Sequence, residues 1–493
     1  MRGRVALAAV LAAGVVAAGV GFERGLGPAP PSGPGSSGAT SASGGWFCPH
    51  GGGEGWRAWI VAANPGGGEA DVTITTFGRG RPREAQEVVP PGTQRYFEVP
   101  AQGMASASVL EFFGTSVYAG MVTRRADGDG LAAEPCAPEA GEQWYVPEGT
   151  SVRGQAAHLV VVNPFAQEAV VDVTIVTDGD VIRHGNLTGV VVEPRQATAF
   201  ELNRFALGEE SLVAEVHAAL GRVAVAGLGV GHDAGLRSVV GVDSPATSWV
   251  FPGAADADPT NVMIAAPTDT VPLSVLTQDA EGSTVVLEEE SVAGRSAETF
   301  EVPQEGAGVL VEGEGRTPFV AGRRLAPIAP DEPAPRDRPR DRPRDRPGDR
   351  RRGGGGRDRR RDRPVEAPPA DLASTAGLPG GGSAWISLSP LPEGGGASTA
   401  VLQNPGRTTA RGRMLLVGED GPVGDPVDFS LQAGHTLADG IGEKPVSLFV
   451  RLTAGQIAVA QVATVDGGFA VSAGIPVETG TTPETSGIRL AVT

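Results

Sequence analysis

The stretch Trp59–Ile74, WIVAANPGGGEADVTI, returns as His158–Ile175, HLVVVNPFAQEAVVDVTI. Each copy runs an apolar strand into Asn-Pro, spends a short loop, and starts a second strand on Asp-Val-Thr-Ile. In that second strand Val72, Ile74 and Thr76 alternate with Asp71, Thr73 and Thr75, the period-two pattern of an antiparallel strand with one buried face. Proline has no N–H to give a ladder and pushes the residue before it into an extended conformation. The Asn side chain can meanwhile bond backbone groups of the turn. Asn64-Pro65 and Asn163-Pro164 therefore read as strand terminators that fix the exit of a loop.

Working outward, each copy belongs to a longer unit that opens on a tryptophan and reaches a proline after one strand-sized run. The openings are Trp46, Trp144, Trp249 and Trp385, and the matching dipeptides are Asn64-Pro65, Asn163-Pro164, Ala266-Pro267 and Asn404-Pro405. A second strand, a later "VVPPGTQRYFEV"-type strand and a final "VAVAGLGV"-type strand follow in each, less distinctly from one unit to the next. The third unit lacks Asn before its proline, and the fourth lacks the aromatic pair after Trp385. Many short strands between regular turn signals predict an all-β chain of tandem immunoglobulin-like β-sandwich repeats. The alternative is a β-propeller in which each repeat supplies two blades. The repeated Trp is expected to cover one end of each repeat's core or the seam with its neighbour, with sugar stacking as the alternative.

The expected segments are an N-terminal signal anchor or transmembrane helix (1–22), a Pro/Gly/Ser-rich stalk (23–45) and β-repeats at 46–138, 144–248 and 249–327. An Arg/Asp/Pro linker (328–383), a fourth β-repeat (384–477) and a C-terminal tail (478–493) complete the chain. In the first segment Arg2 and Arg4 precede an apolar run from Val5 to Phe22. Positive charge ahead of such a run places the N-terminus inside and everything after it outside. Single-pass anchoring in the plasma membrane is the expectation, with release after cleavage as the alternative. Cys48 and Cys136, the only cysteines, lie near the two ends of the first repeat, and in an exported chain they are expected to form a disulfide. Zinc is the weaker reading, since two Cys and His50 do not make four ligands.

The sequence "WYVPEG…HLVVVNPFAQEAVVDVTIVTDGD…VVVEPRQATAFEL…VAVAGLGV" resembles the Trp-Tyr-x-x-Glu-Gly, Asn-Pro repeat of an uncharacterised, membrane-anchored family of exported actinobacterial proteins, a domain of unknown function. The resemblance covers most of residues 46–327 and, more loosely, 385–477. It implies an extracytoplasmic anchored protein, and it offers no catalytic residues to carry over.

The net charge of −18 hides two populations. Arg336–Arg363 holds 14 Arg against 6 Asp, a local excess of +8, so the remainder carries −26. An acidic folded surface repels phosphate, so nucleic acid is not an expected partner. The Arg-rich stretch, with proline every fourth residue, cannot build a core. It reads as a soluble spacer or as a segment that docks on anionic wall polymer or lipid headgroups.

A search for chemistry finds no motif of catalysis. "GLGVG" at Gly227 lies in a strand pattern with no helix after it. The acidic pairs at Asp127 and Asp256 lack the downstream Glu of a calcium loop. The six His are scattered, and no GxSxG elbow exists. No cofactor, metal or catalytic residue is assigned. The expected function is a non-enzymatic cell-envelope protein, a structural or adhesive scaffold presenting β-modules outside the membrane. A glycan- or wall-polymer-binding accessory of envelope assembly is the alternative, and anionic wall polymer, glycan or an envelope protein are the candidate partners.

Overall fold

The computed structural model describes residues 42–477, apart from 79, 126–129, 232–234, 254–256, 303–307, 328–372, 393–395 and 466–467. The apolar N-terminal run, residues 23–41 of the expected stalk and the C-terminal tail lie outside the described residues; residues 42–45, expected as stalk, begin the strand Ala42–Cys48. Among the described residues no helix is long and apolar enough to cross a membrane. The described residues are all-β, in eight antiparallel sheets, none closed into a barrel.

The first repeat sets the pattern with strands β1 (Ala42–Cys48), β2 (Trp56–Asn64), β3 (Ala70–Phe77), β4 (Arg83–Val89), β5 (Thr93–Val99), β6 (Ala107–Gly114), β7 (Tyr118–Arg125) and β8 (Leu131–Pro135). They form two sheets, ordered β1-β6-β3-β4 and β5-β2-β7-β8. The first carries the opening Trp and the second ends its β2 strand at Asn-Pro. The other three repeats have the same pair of sheets in the same strand order, with an extra short strand in two of the Trp sheets.

Burial falls from one edge of each sheet to the other. β8 is buried along almost its whole length and β2 on both faces, whereas β4 is exposed at six consecutive positions. A strand covered on both sides has no polar face to present, which is why β2 reads as the unbroken run Trp59–Ala63 rather than as an alternation. β4, "REAQEVV", is an outer edge whose charges face solvent, as exposed edges need.

Both faces of β2 are covered because repeats pack against one another as well as upon themselves. Val176 and Val213 of the second repeat's Trp sheet meet Met263, Ala265 and Ala297 of the third repeat's Asn-Pro sheet. Val250 and Leu310 of the third repeat pack with Ala400 and Leu402 of the fourth. Gln403 donates from Nε2 to Gln278 Oε1 across the same seam at 2.8 Å. The fourth repeat then returns to the first: Gln94 of β5 donates to the carbonyl of Pro445 and accepts from the Ser447 hydroxyl. The four last strands, β8, Leu236–Val240, Ala373–Ala376 and Gly468–Ala473, each pack against two neighbours and close a ring around an axis. One opposite pair, β8 and Ala373–Ala376, also touches across the axis.

Two expectations need correction. The repeats are not separate beads, because each Asn-Pro sheet is buried between two Trp sheets. The span 328–383 is also not simply a linker between repeats. Ala373–Ala376 pairs with Gly322–Leu325 as the last strand of the third repeat. The Arg/Asp/Pro stretch is thus an insertion into one hairpin, leaving and re-entering the same sheet at Pro327 and Ala373.

Candidate functional site

The recurring Asn-Pro dipeptides hold turns. Asn64 Nδ2 donates to the carbonyls of Gly68 and Val89 at 2.8 and 2.9 Å, and its Oδ1 accepts from Gly66 N at 2.9 Å. Asn163 makes the same bonds to Gln167, Val192 and Phe165, and Asn404 to Thr408, Leu431 and Gly406. All three Asn are fully buried. Pro65, Pro164, Pro267 and Pro405 open the loops. The polar atoms of the three Asn side chains are spent on these turns.

The repeat tryptophans are core residues too, between 1% and 6% exposed. Trp46, Trp144 and Trp249 donate from Nε1 to the carbonyls of Val117, Val223 and Phe319. Trp385 is equally buried, but its Nε1 meets no acceptor among the described residues.

After each last strand the chain turns a corner and pairs briefly with a Trp strand: Phe47 with Ala137, Tyr145 with Val242, Val250 with Leu378, and Ile386 with Ile475. The residues beside these pairs are Cys48/Cys136, Val146/Gly241, Phe251/Gly377 and Ser387/Gly474. Cys48 and Cys136 are bonded, with Cα atoms 4.6 Å apart. The glycine corners press on indole rings: a Cβ on Gly241, Gly377 or Gly474 would stand 3.1, 2.8 or 3.1 Å from the Cε3 of Trp144, Trp249 or Trp385.

These corners surround a depression on the axis, a cavity of about 320 Å³. It lies at the Asn-Pro end of the ring, where β8 and its counterparts finish. Trp46, Trp144, Trp249, Leu378 and Ile475 supply apolar wall, while Glu139 and Asp243 stand exposed at the rim. No Arg, Lys or His is among its described lining residues.

Glu134 borders this depression from inside the ring. Counting back two residues from each corner gives Glu134, Val239, Thr375 and Ser472, one from each repeat at a single level of the axis. Glu134 is 2% exposed. Burial drives its carboxyl well above the ordinary carboxylate range, against a smaller opposing effect of a hydrogen bond with Thr375 across the axis. Its Oε1 meets no partner among the described residues. Glu134 was not singled out in the sequence. The available signal was an acid inside the apolar strand "LAAEP", two residues ahead of a paired cysteine.

The remaining titratable groups do not converge. His50 is fully buried, donating from Nδ1 to the Gly51 carbonyl and facing the Ser108 hydroxyl with Nε2 at 3.1 Å. Burial lowers its pKa to about 4. Among the described residues no group of His, Cys, Asp and Glu could hold a metal ion. A second depression beside Trp56, bordered by the exposed ion pair Arg57–Glu98 at 2.9 Å, is shallower and belongs to one repeat.

Comparison with known proteins gives one partial family match and no activity. No curated protein matches the chain. Residues 105–338 match a family of unknown function (DUF5719), from within the first repeat to the start of the Arg-rich insertion.

Proposed function

We propose that this chain acts outside the cytoplasm as a rigid, non-catalytic ring of the cell envelope that presents its axial end to a ligand or partner. The eight sheets read best as blades, two from each repeat, so the β-propeller arrangement is favoured over tandem immunoglobulin-like sandwiches. The observation that carries this reading is the closed contact among β8 and its three counterparts, which makes one stiff body of four repeats. Export is supported by the Arg-flanked apolar run at Val5–Phe22 and by the bond between Cys48 and Cys136, since reducing compartments keep thiols apart.

The placement of the chain within the ring bears on partners. Ala42 and Pro476 lie at the Asn-Pro end, and the hairpin interrupted by the Arg-rich insertion opens at the other. The insertion carries 14 Arg against 6 Asp over Arg336–Arg363, a charge suited to an anionic wall polymer as its partner. Glycan binding through the repeat tryptophans is disfavoured, because all four are buried.

The test is acid quenching of intact cells followed by alkylation and protease shaving. The expected result is an oxidised Cys48–Cys136 pair in a chain that external protease reaches. Two free thiols in a protease-protected chain would remove the envelope reading.

A further inference from the structure

We infer that the depression beside Trp56 binds a neutral glycan, with the indole stacked on a pyranose ring and the Arg57–Glu98 pair bonded to its hydroxyls. The inference goes beyond the envelope role and holds wherever the protein resides. Comparing the repeats with one another points to the site. The strands that lead to Asn64, Asn163 and Asn404 begin at Trp56, Gln155 and Gly396, and the next residues are Arg57, Ala156 and Ala397. The same strand forms on each of these pairs, so the fold requires neither the indole nor the guanidinium. Trp56 is also partly exposed, whereas the other five tryptophans are 6% exposed or less.

The side chains are held ready. Gly51 N donates to the Ser106 carbonyl at 2.8 Å and Gly53 N to the Ala101 carbonyl at 2.9 Å, which ties down the loop before Trp56. Gly53 lies so close to the indole that a Cβ on it would stand 2.9 Å from Cε2 and Nε1. Arg57 holds its guanidinium 4.6 Å over the Trp59 ring and donates from Nε and Nη2 to the two Glu98 oxygens at 2.9 and 3.0 Å. An ion pair this exposed, 40% and 53%, adds little to stability. Its geometry is nevertheless fixed, and a carboxylate in such a pair keeps acceptor directions for further donors. Rigid groups lose little freedom when a ligand arrives.

The chemistry of the lining selects the ligand. The cavity is about 560 Å³, within the range of roughly 300–1,000 Å³ of small-ligand sites. A pyranose has an apolar face of C–H groups and a rim of hydroxyls. The indole of Trp56 meets the first by dispersion. Glu98 and the exposed amide of Gln102 meet the second, the carboxylate through charge-assisted bonds. A wholly apolar ligand would strip water from Arg57 and Glu98 and return no hydrogen bond. An anionic one would face Glu54 and Glu98 against Arg57, an excess of acid. The depression is shallow, so it gains contact area from several linked sugars rather than from one enclosed ring.

The test uses the full chain with cellohexaose, mannohexaose and N-acetylchitohexaose as neutral probes, and oligogalacturonate and adenosine as counter-probes, read by calorimetry and tryptophan fluorescence. At least one neutral hexasaccharide is expected to bind saturably at or below millimolar concentration and to shift the tryptophan emission. Oligogalacturonate and adenosine should bind at least about tenfold more weakly than that hexasaccharide. Trp56→Gln, which gives the first repeat the residue of the second, should weaken binding at least about tenfold while the circular dichroism stays that of the parent. Glu98→Gln should weaken it a few-fold. No binding of any of the three hexasaccharides at millimolar concentration, binding unchanged by Trp56→Gln, or a counter-probe bound as tightly would each overturn the inference. Should Trp56→Gln fail to fold, N-bromosuccinimide oxidation of the unaltered chain decides: the bound hexasaccharide should protect Trp56, and undiminished oxidation would sink the site.

Discussion

Asn163 shows what a single side chain contributes to this architecture. Its amide ties a strand end to two carbonyls and one amide of a loop that would otherwise leave Val192 O buried near an apolar core. Replacing it with alanine removes these bonds, and Asn163→Ala is expected to cost about 2–3 kcal/mol in urea denaturation. A loss under about 0.5 kcal/mol would mean that water reaches these groups. The third repeat explains itself in the same terms. From Asn64, Asn163 and Asn404 the next strand begins six residues on, at Ala70, Ala169 and Ala410, but from Ala266 it begins five residues on, at Val271. The residue four on, Thr270, then stands immediately before the strand rather than two residues ahead of it as Gly68, Gln167 and Thr408 do, so Ala266→Asn alone should not stabilise the fold. This role of Asn was legible in the sequence, because proline chemistry and side-chain turn bonding are local. The buried acid Glu134 was not, since its consequence depends on Thr375, which arrives from the opposite side of the ring. Its titration has a definite sign. The unfolded chain loses the proton near pH 4.5 while the folded chain holds it, so stability from this group is present below that value and declines as pH rises through the folded pKa. Glu134→Gln should therefore raise the melting temperature more at pH 8 than at pH 4.5. His50 has the opposite sense: its folded pKa of about 4 lies below the ordinary 6.5, so its contribution is intact above pH 6.5 and is lost as pH falls toward 4. That loss is about 3 kcal/mol. Because the two slopes oppose each other, the His50 effect is best measured in the Glu134→Gln background.

At the scale of elements, the corner after each last strand is where sequence variation is most instructive. Three repeats seat a glycine against an indole, and the first instead joins Cys48 to Cys136 across the same corner. The bond closes 88 residues and fixes β1, the first described strand, to the segment after β8. Cys48→Ala with Cys136→Ala is expected to lower stability by about 4–5 kcal/mol on the chain-entropy estimate. A loss near zero would mean that ring contacts already hold β1 in place. Pairing of the two cysteines followed from their positions near the ends of one repeat. The glycine corners did not, because glycine in a turn and glycine against a ring read alike in one dimension. The short strand Ala373–Ala376 was hidden for a related reason. Four small residues, "ASTA", beside an Arg/Asp/Pro tract carry no periodicity, and only their pairing with Gly322–Leu325 makes them a strand. The strand interiors, by contrast, were legible wherever one face met water. Where both faces were covered, as along Trp59–Ala63, the alternation vanished, and with it the clue that a second sheet lay behind.

For the whole molecule, the deciding feature is the closure of the fourth repeat on the first, which joins residues some 350 positions apart and leaves no local trace. Gln94 bonds to Ser447, 353 positions further along the chain, and Gly468 lies against Leu131. Closure has a consequence that a string of independent modules would not share. Removing the fourth repeat uncovers β8 and the apolar face around Leu131, so a fragment ending at Ser383 should lose cooperative folding, and residues 384–477 alone should not fold. The insertion supplies the contrasting case. It begins and ends in one hairpin, with Leu325 opposite Ala373, so it bridges no gap between bodies. Replacing residues 328–372 with Asp-Gly-Asp-Gly leaves the spacing that separates Arg124 from Leu131 in the first repeat, where those two residues are paired. Shortening the loop in this way lowers the entropy lost on closing it by roughly 2 kcal/mol. The shortened chain should therefore retain the β-rich circular dichroism of the parent and melt at an equal or higher temperature, while losing the cationic segment proposed to meet wall polymer. If residues 384–477 instead fold cooperatively by themselves, or if the shortened chain unfolds, the fourth repeat is a separate body that needs its long connection, and the ring is not the unit that folds.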